Sequence, residues 1–502
     1  IDVSMTDGVA PTSSKDAVKT LRLTPGFHAE LVASEPLIES PVAIAFGPDN
    51  KLWVAEMCDY PQGDSSDGGR VKCLYDDDGD GRYDRSEVFL TGLPLPTGVT
   101  AWRNGVLICA APDILYAEDT NGDGKADKVE TLFTGFATHN TQARVNSLEY
   151  GLDGWMYGAC GLFGGNITCT KTGEVVVIYQ RDFRFHPDTG VIEGGTGNTQ
   201  QGKARNDWGD WFGCDNLTML KHYPLADHYL RRNPYLTPAT TVIPIAAGPE
   251  PGRLFSIANQ VLFMLSGPPN RPTAACGLGI YRDDLLGKEY YGNAFTCEPV
   301  NNLVHRQILS ADGVTFTSRR ADEEQNCEFL ASTDPWFRPV QARTGPDGAL
   351  WVVDMYRYVI EHPIWIPPDT LAKLNPRAGS AMGRIYRIFP DTRPARKPLK
   401  ITSLQGEQLT AAMDSPNGTQ RDLIQQQIEW NQDRAAVPAL KEIAQGSPRP
   451  EVRIQALSTW ANLETPSVEA LQILLRDPDP HVRRHAVRIS ESQLQTSPQL
   501  AG

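Results

Sequence analysis

The 502-residue chain lacks any run of about 18 consecutive apolar residues, so the sequence predicts no transmembrane segment. It has no Cys-x-x-Cys pair and no Cys-x-x-Cys-His motif, which gives no support to a zinc ribbon or covalently attached haem. A Gly-x-Ser-x-Gly elbow, a His-Glu-x-x-His motif and a P-loop are absent as well. An initiator methionine is also missing at Ile1, from which we expect a processed mature form.

The chain has fewer basic than acidic residues, 47 against 61. The net charge is −14 and the sequence pI is about 5.2, which argues against nucleic acid and anionic membranes as partners. Nine cysteines are scattered through strand-like segments, and we expect disulfides formed in an oxidising compartment, with at least one thiol left over. Several buried free thiols are the alternative. The expected location is periplasmic or secreted.

A hairpin pattern recurs through the first 390 residues and predicts the fold. It reads as a strand, a tight turn at Asp-Gly or Asp-Asn, and a second strand, because these pairs supply the positive φ of a two-residue hairpin. Clear copies occupy residues 43–56, 147–159 and 342–354, and a weaker copy occupies residues 99–110. Repetition of hairpins alone indicates a mainly β chain folded as a β-propeller. The hairpin anchors predict a six-bladed β-propeller; the fourth and fifth blades are poorly marked, so five or seven blades are the alternatives. We expect residues 21–33 to supply the outer strand of the last blade and close the ring.

Composition changes after Pro390, through a Pro/Arg/Lys-rich linker, to segments with helical periodicity. Helix pairs with proline just before the second helix are typical of HEAT repeats. We therefore predict a propeller over residues 1–395 and a small α-helical HEAT-like domain over residues 396–502. With so few repeats, either the helices pack on the propeller or the native chain continues past Gly502.

Two acidic loops, Asp76–Glu87 and Asp119–Glu130, match the spacing of a calcium-binding loop, with glycine at the sixth position. The predicted ligands are the side chains of Asp76, Asp78, Asp80, Asp84 and Glu87 with the carbonyl of Arg82, and those of Asp119, Asn121, Asp123, Asp127 and Glu130 with the carbonyl of Lys125. Acidic hairpin turns without an ion are the alternative. Because the loops lie between strands, we expect Ca²⁺ to brace blade edges rather than to take part in catalysis.

Three polar segments are candidates for a site at the propeller axis, where loops from several blades converge. The first contains His139, a general base near neutral pH, and Arg144. The second contains Arg205, which could stabilise developing negative charge, and Asn206. The third, at the end of the last inner hairpin, contains Asp354 and Arg357.

The run Ser40–Glu56, the segment that begins at His139 and the pair Arg205-Asn206 resemble the glucose/sorbosone dehydrogenase superfamily, six-bladed propellers that use pyrroloquinoline quinone and calcium. Further stretches, such as Gly277–Arg282 and Asp354–Arg357, resemble the membrane-bound dehydrogenase-type propellers of Planctomycetes. In that family HEAT-like repeats follow the propeller, and often a cytochrome c module follows these.

The resemblance implies that His139 and Arg205 are catalytic and that Asn206 lies near the cofactor. From the polar segments themselves we expect Arg144 to be catalytic as well, and Asp354 and Arg357 to lie near the cofactor. The resemblance also implies an oxidoreductase that acts on a sugar or sugar-derived alcohol and passes electrons to a c-type cytochrome or another acceptor. In those dehydrogenases an acid follows the strand after the histidine and pairs with the histidine. Here that strand ends at Gly161 and no acid follows it. The alternatives are a polysaccharide lyase or hydrolase that uses His139 and Arg205, and a non-catalytic scaffold that binds glycan or protein.

Overall fold

The computed structural model describes residues 9–63, 68–248, 250–259, 268 and 270–500. They form six antiparallel sheets, which are the blades of a β-propeller, followed by a domain of helices. The predicted six-bladed propeller with C-terminal HEAT-like helices is confirmed. No helix in these ranges is long and apolar enough to cross a membrane.

The 28 strands are numbered in chain order, and each blade runs from its inner strand at the axis to its outer edge. Two strands precede the first blade: β1 (Leu21–Leu23) and β2 (Phe27–Ser34). Blade 1 consists of β3 (Pro41–Phe46), β4 (Leu52–Glu56), β5 (Gly69–Tyr75) and β6 (Arg85–Leu93). Blade 2 consists of β7 (Gly98–Trp102), β8 (Gly105–Ala110), β9 (Asp113–Glu118) and β10 (Lys128–Phe136), extended by β13 (Gly164–Cys169) and β14 (Val175–Tyr179).

Blade 3 consists of β11 (Asn146–Tyr150), β12 (Met156–Ala159), β15 (Phe183–Phe185) and β16 (Ile192–Gly194). Blade 4 consists of β17 (Ala204–Arg205), β18 (Trp211–Asp215), β19 (Thr218–Tyr223) and β20 (Ile243–Pro244). Blade 5 consists of β21 (Cys276–Ile280), β22 (Ala294–Glu298), β23 (Leu303–Asp312), β24 (Thr315–Arg319) and β25 (Leu330–Ser332). Blade 6 consists of β26 (Pro339–Thr344), β27 (Leu350–Asp354) and β28 (Arg384–Pro390).

The N-terminal strands close the ring. Strand β2 pairs antiparallel with β28, from Phe27 opposite Pro390 to Ser34 opposite Arg384, and so becomes the outer strand of blade 6. The predicted closure is confirmed for this strand. Strand β1 instead pairs with β25 and extends blade 5. The N-terminal segment therefore ties two neighbouring blades together.

Acidic residues at the ends of second strands hold the loops that enter the inner strands. Glu56 accepts the backbone N–H of Glu39, and Glu298 accepts those of Thr273 and Ala274. In blade 6, Asp354 does the same for Arg338, at 2.7 Å. All three carboxylates are fully buried, where an unpaired backbone N–H would be costly. They are therefore part of the architecture of the propeller.

The short helices α1 (Ser14–Ala17), α2 (Asp227–Arg231) and α3 (Pro368–Leu371) lie within the propeller segment. The helical domain consists of α4 (Gly406–Ala411), α5 (Gly418–Trp430), α6 (Val437–Gly446), α7 (Pro450–Leu463), α8 (Val468–Leu474) and α9 (Pro480–Ser490). It packs on the propeller: the ring of Trp430 lies 4.9 Å from that of Trp102, and Asn462 donates to the carbonyl of Leu152 at 2.9 Å. The expectation that the helices pack on the propeller is therefore confirmed.

All nine cysteines are free thiols in the structure, and seven of them are buried. The predicted disulfides are therefore not formed. Cys276 and Cys297 lie directly opposite each other on β21 and β22. This places buried thiols at neighbouring positions without a bond between them.

Candidate active site

Two cavities lie along the propeller axis. The inner strands all run in the same direction, so the axis has one end where these strands begin, called here the loop face, and one where they end, called the helix face. A mouth cavity of about 90 Å³ lies at the loop face, and an axial cavity of about 120 Å³ lies towards the helix face. Helix α5 borders the axial cavity with Asp422 and Gln426, so the helical domain covers that end.

The mouth cavity is lined by uncharged side chains among the described residues. Its polar groups come from Tyr60, Gln142, Gln200, Gln201 and Asn216, interleaved with apolar residues such as Met57 and Ile360. The amide of Gln142 spans the mouth, donating to the hydroxyl of Tyr60 at 2.9 Å. Within the described part of the chain, the side-chain amides of Gln201 and Asn216 make no hydrogen bond. These amides are therefore available to a ligand.

His139 lies at the rim of the loop face, three residues before Gln142. It is exposed, and its ring packs edge-on against Phe163 with centroids 4.2 Å apart. The side chain of Asn140 accepts the backbone N–H groups of Gln142 and Ala143, both at 2.8 Å. This turn holds His139 outside the mouth while directing Gln142 into it. The imidazole of His139 therefore has an aromatic ring as its neighbour at the rim.

Arg144 is buried beneath the same loop. Its three guanidinium nitrogens donate to the backbone carbonyls of Asn140, Ala111 and Thr138, at 2.8, 3.3 and 2.9 Å. Burial lowers the pKa of Arg144, and the nearby carboxylate of Asp59 only partly opposes this. Because each of its three nitrogens binds a carbonyl of or beside the loop, Arg144 is suited to position the His139 loop.

Arg205 lies at the opposite end of the axis from His139. It is the last residue of β17 and donates to the carbonyl of Tyr150, the last residue of β11, at 3.0 Å. His139 instead precedes the first residue of β11. Five residues of strand separate these positions, or about 16 Å at roughly 3.3 Å per residue. The structure does not bring the predicted catalytic histidine and arginine together.

The helical domain holds Arg205 in a buried ionic network. Asp422 of α5 pairs with Arg205 and with Arg282, each at 2.5 Å. Arg282 also binds Asp207, which Arg421 of the same helix approaches to 2.6 Å. Burial alone would raise the pKa of Asp207, but the two guanidinium groups hold it well below its ordinary value. Sequence reasoning missed Asp422, since nothing local connects α5 with a propeller strand.

Asn206 shapes the hairpin turn that follows β17. Its side-chain oxygen accepts the backbone N–H groups of Trp208 and Asp210, at 3.0 and 2.9 Å. Its amide donates to the carboxylate of Asp210. These bonds give Asn206 a turn-forming role at the helix face, away from the mouth.

Asp354 and Arg357 lie at the loop face but are fully buried. One oxygen of Asp354 accepts the N–H groups of Arg338 and Tyr356, while its Oδ2 has no hydrogen-bond partner. Burial raises the pKa of Asp354 to about 7. Arg357 donates to the hydroxyl of Ser40, and its Nη1 has no partner. Both residues lie behind the wall of the mouth.

The first acidic loop presents a metal-binding geometry. The carboxylates of Asp76, Asp78 and Asp84 lie within 4.8 Å of one another. Asp76 accepts the N–H groups of Gly79 and Gly81, which fold the loop around this cluster. Oxygen-rich clusters of this kind suit Ca²⁺. Glu87 lies outside the cluster, since its carboxylate binds Arg85 at 2.7 Å and the hydroxyl of Tyr75 at 3.1 Å.

The second loop repeats the geometry of the first. Asp119 accepts the N–H groups of Gly122 and Gly124, and these bonds lower its pKa. Asp127 accepts from the backbone and the hydroxyl of Thr120. Glu130 lies on β10 and is exposed, beside Lys128. In both loops the ninth residue, Asp84 or Asp127, binds back to the start of the loop. The twelfth residue, Glu87 or Glu130, was predicted as a ligand but lies on the strand that follows, beside a basic residue.

Residues 13–392 match a family model described as a domain of unknown function, DUF7133. The chain belongs to the DUF7133 family. Residues 407–492 match a model of HEAT repeats, which agrees with the helical domain. None of the curated proteins compared with this DUF7133 chain matches it.

Solved structures of similar fold include sugar dehydrogenases. The soluble aldose sugar dehydrogenase of Escherichia coli is 15% identical, covers 72% of this chain and 99% of its own, and has a TM-score of 0.40. The PQQ domain of pyranose dehydrogenase from Coprinopsis cinerea is 12% identical, covers 74% and 97%, and also scores 0.40. A streptogramin B lyase is 11% identical, covers 74% and 100%, and scores 0.34. At these identities the likeness concerns the fold alone.

The described residues of the mouth do not fit pyrroloquinoline quinone, a cofactor with several carboxylates. Ligand sites of this kind measure roughly 300–1,000 Å³, whereas the mouth cavity measures about 90 Å³. The cations nearby are engaged: the guanidinium nitrogens of Arg144 and Arg338 all donate to backbone carbonyls. Arg357 keeps one free N–H, but it is buried behind Tyr60.

Proposed function

We propose that this DUF7133 propeller is an extracytoplasmic oxidoreductase that oxidises a sugar or sugar-derived alcohol at the loop face. The observation that carries the proposal is the uncharged mouth with the unbonded amides of Gln201 and Asn216. Amide groups donate and accept hydrogen bonds without charge, as the hydroxyl groups of a neutral sugar require. Apolar neighbours such as Met57 and Met355 suit the carbon faces of such a molecule.

His139 is the proposed proton acceptor. Oxidation of an alcohol removes the proton of the hydroxyl group and a hydride from the carbon that bears this group. Histidine is the side chain that most often serves as a general base in enzymes. A substrate anchored at the mouth would have to extend past Gln142 to reach the exposed imidazole.

The hydride acceptor is proposed to be external to the chain, a dissociable quinone that takes up the two electrons of the hydride and is reduced to the quinol; a c-type cytochrome or another acceptor would then reoxidise the quinol one electron at a time. This follows from the small mouth and the engaged arginines around it. Calcium is proposed to hold the acidic loops in place, with Asp76, Asp78 and Asp84 as carboxylate ligands in the first loop. Its role there is to neutralise clustered carboxylates, and the loops lie on the helix face, away from His139.

The test is dye reduction by the purified protein with a panel of aldoses and polyols, with calcium, in the presence and absence of added quinone. Substrate-dependent reduction that is saturable and lost in a Gln201→Leu, Asn216→Leu double variant would support the proposal. A protein that binds neither sugar nor quinone and reduces no dye would overturn it. Gln325→Leu, on the rim of blade 5, is the matched control for loss of an amide.

A non-catalytic scaffold that binds glycan or protein is the second candidate. The favouring observation is the helix face, where Asp422 of the helical domain pairs with both Arg205 and Arg282 and so engages Arg205 in the structure. The lyase or hydrolase alternative has less support, because it requires His139 and Arg205 at the same substrate. Sugar binding at the mouth without dye reduction or cleavage would favour the scaffold.

A further inference from the structure

A cavity larger than the two at the axis lies away from the propeller axis. It measures about 340 Å³ and lies between blades 3 and 4, where helices α7 and α9 cover it; it is called here the interblade cleft. Cavities of this volume, at the interface of two domains, are typical of small-ligand sites. None of the predicted catalytic residues except Arg205 lines the cleft.

The joint between these two blades is polar. One cluster of buried apolar side chains joins blades 2 and 3, and another joins blades 4 and 5. Within the described residues, no such cluster contains strands of both blade 3 and blade 4. Instead Asp182 pairs with Lys203 at 2.7 Å, and the rings of Tyr157 and Trp211 stack with centroids 4.3 Å apart. Close-packed interiors are the rule between secondary-structure layers, so an open polar joint of this size requires another explanation.

The charges that line the cleft are paired with one exception. The five acidic residues each bind an arginine or a lysine, as in the contact of Asp210 with Arg484 at 2.8 Å. Of the cations, Arg184, Lys203 and Arg205 are bound to carboxylates. Arg488 of α9 makes no hydrogen bond or ion pair with any described residue. The cleft therefore carries one uncompensated positive charge.

The remaining polar groups suit hydroxyl groups. Burial lowers the pKa of His485 to about 3, and it also lowers the pKa of His228. Both imidazoles are therefore neutral at physiological pH and able to share hydrogen bonds with alcohols. The ring of Tyr229 and the stacked pair Tyr157–Trp211 add aromatic surface.

We propose that the interblade cleft binds a monoanionic carbohydrate, of the size of a single uronic acid, with its carboxylate on Arg488. An arginine fork matches the geometry of a carboxylate, and the pairing supplies the one counter-charge that the cleft lacks. The hydroxyls of Tyr157 and Tyr229 donate to Asp153 and Glu491, and Nε2 of His485 binds the carbonyl of Trp208. These groups and the imidazole of His228 can still accept hydrogen bonds from the hydroxyl groups of the ligand. Because the cleft has walls from both domains, the ligand also joins the helical domain to the propeller. The site is independent of the reaction proposed at the mouth.

The test is isothermal titration calorimetry of the full chain with glucuronate, glucose and acetate. We expect one glucuronate site with weaker or undetectable binding of the other two, because glucose lacks the charge and acetate lacks the hydroxyls. Arg488→Gln is expected to weaken glucuronate binding by about 10- to 100-fold, the range for one charge-assisted hydrogen bond. Arg476→Gln, an exposed arginine of the same domain outside the cleft, is expected to bind like the wild type.

A second variant distinguishes a loss of binding from a loss of folding. Ala461→Leu adds bulk from α7 into the cleft and is expected to abolish glucuronate binding, while circular dichroism and the melting temperature report whether the domain still folds. Absence of glucuronate binding to the wild type overturns the proposal. So does unchanged binding to Arg488→Gln, or acetate or glucose binding as tightly as glucuronate. Dye reduction is not measured here, so failure at the cleft is distinct from failure at the mouth.

Discussion

The backbone N–H of Ala126, in the second acidic loop, donates to the carbonyl of Phe89 on the outer strand of blade 1, at 2.9 Å. Tyr83 makes the equivalent bond from the first loop to Val32, on the outer strand of blade 6, also at 2.9 Å. Both donors occupy the eighth position of their loops. Each loop therefore ties its own blade to the preceding one, which gives a physical basis for calcium as a brace of the ring.

Calcium is expected to raise the melting temperature of the wild type. An ion that binds only the folded state stabilises it by RT ln(1 + [L]/Kd), about 2.7 kcal/mol for one site at a hundredfold excess over Kd. Asp76→Asn and Asp119→Asn are each expected to lose part of the calcium-dependent shift, measured by calorimetry in calcium and in chelator. Glu130→Gln, whose carboxylate lies beside Lys128, is the matched control and is expected to keep the shift. An equal loss in the control would contradict this ligand set.

The sequence allowed local features to be predicted and left long-range ones out of reach. The first loop, residues 76–84, could be predicted because its carboxylates bind backbone amides at most seven residues away. The blade count followed from hairpin turns, where residues such as Asn50 adopt positive φ. Blade 4 was poorly marked because its inner strand has only two paired residues, Ala204 and Arg205.

The candidate site was predicted less well than the fold for a geometric reason. His139 precedes an inner strand and Arg205 ends one, and in a propeller these positions lie at opposite faces. A residue close in sequence to an inner strand can lie at the loop face or at the helix face, and only the strand boundaries show which. The pairing of Arg205 with Asp422 spans 217 residues and depends on how two domains dock. No local pattern encodes such a contact.

Asp422→Asn is expected to weaken the docking of the helical domain. The substitution leaves Arg205 and Arg282 without their shared carboxylate, and breaking a buried ion pair costs about 3–5 kcal/mol. Denaturant unfolding monitored by tryptophan fluorescence should show an earlier transition. Glu442→Gln removes the same charge from an exposed position of α6 and should leave the midpoint unchanged. A variant as stable as the control would show that the network contributes little.

His139→Ala is expected to lower the turnover of any sugar or alcohol oxidation by about 10²- to 10⁴-fold, the usual contribution of a general base. The Michaelis constant should change little, since His139 does not line the mouth cavity. Steady-state dye reduction over a range of substrate concentrations measures both constants, and circular dichroism of the variant separates this effect from a structural one. His28→Ala, on the outer strand of blade 6, is the control. Full activity in His139→Ala would remove His139 from the mechanism.

Arg144→Met tests whether this arginine acts through the loop that holds His139. The variant loses the three bonds to the carbonyls of Asn140, Thr138 and Ala111, so the loop should loosen. We expect lower turnover and faster amide exchange in residues 138–143, measured by hydrogen–deuterium exchange mass spectrometry. A group that contacts substrate would reduce activity without changing this exchange. Unchanged exchange together with lost activity would therefore assign Arg144 a direct catalytic role.

Asp354 is expected to make the propeller less stable as pH rises from about 4 to about 7. Burial raises the pKa of its carboxyl from 3.8 to about 7, so the folded chain keeps a proton that the unfolded chain releases. Folding then takes up one proton across this window, and stability falls by at most about 1.4 kcal/mol per pH unit. Asp354→Asn keeps an oxygen for the N–H groups of Arg338 and Tyr356 and cannot ionise, so its stability should exceed that of the wild type above pH 7.

The measurement is the difference in unfolding free energy between wild type and Asp354→Asn, taken from urea titrations at intervals between pH 4 and pH 8. Subtraction cancels the titration of groups that both proteins share. Asp369→Asn, an exposed acid in α3 at the same face, should give a difference near zero at every pH. A difference that is independent of pH would mean that the opposing charge of Arg384 keeps Asp354 ionised in the folded protein. Asp354, at the end of β27, would then be part of an ion pair rather than a protonated carboxyl group.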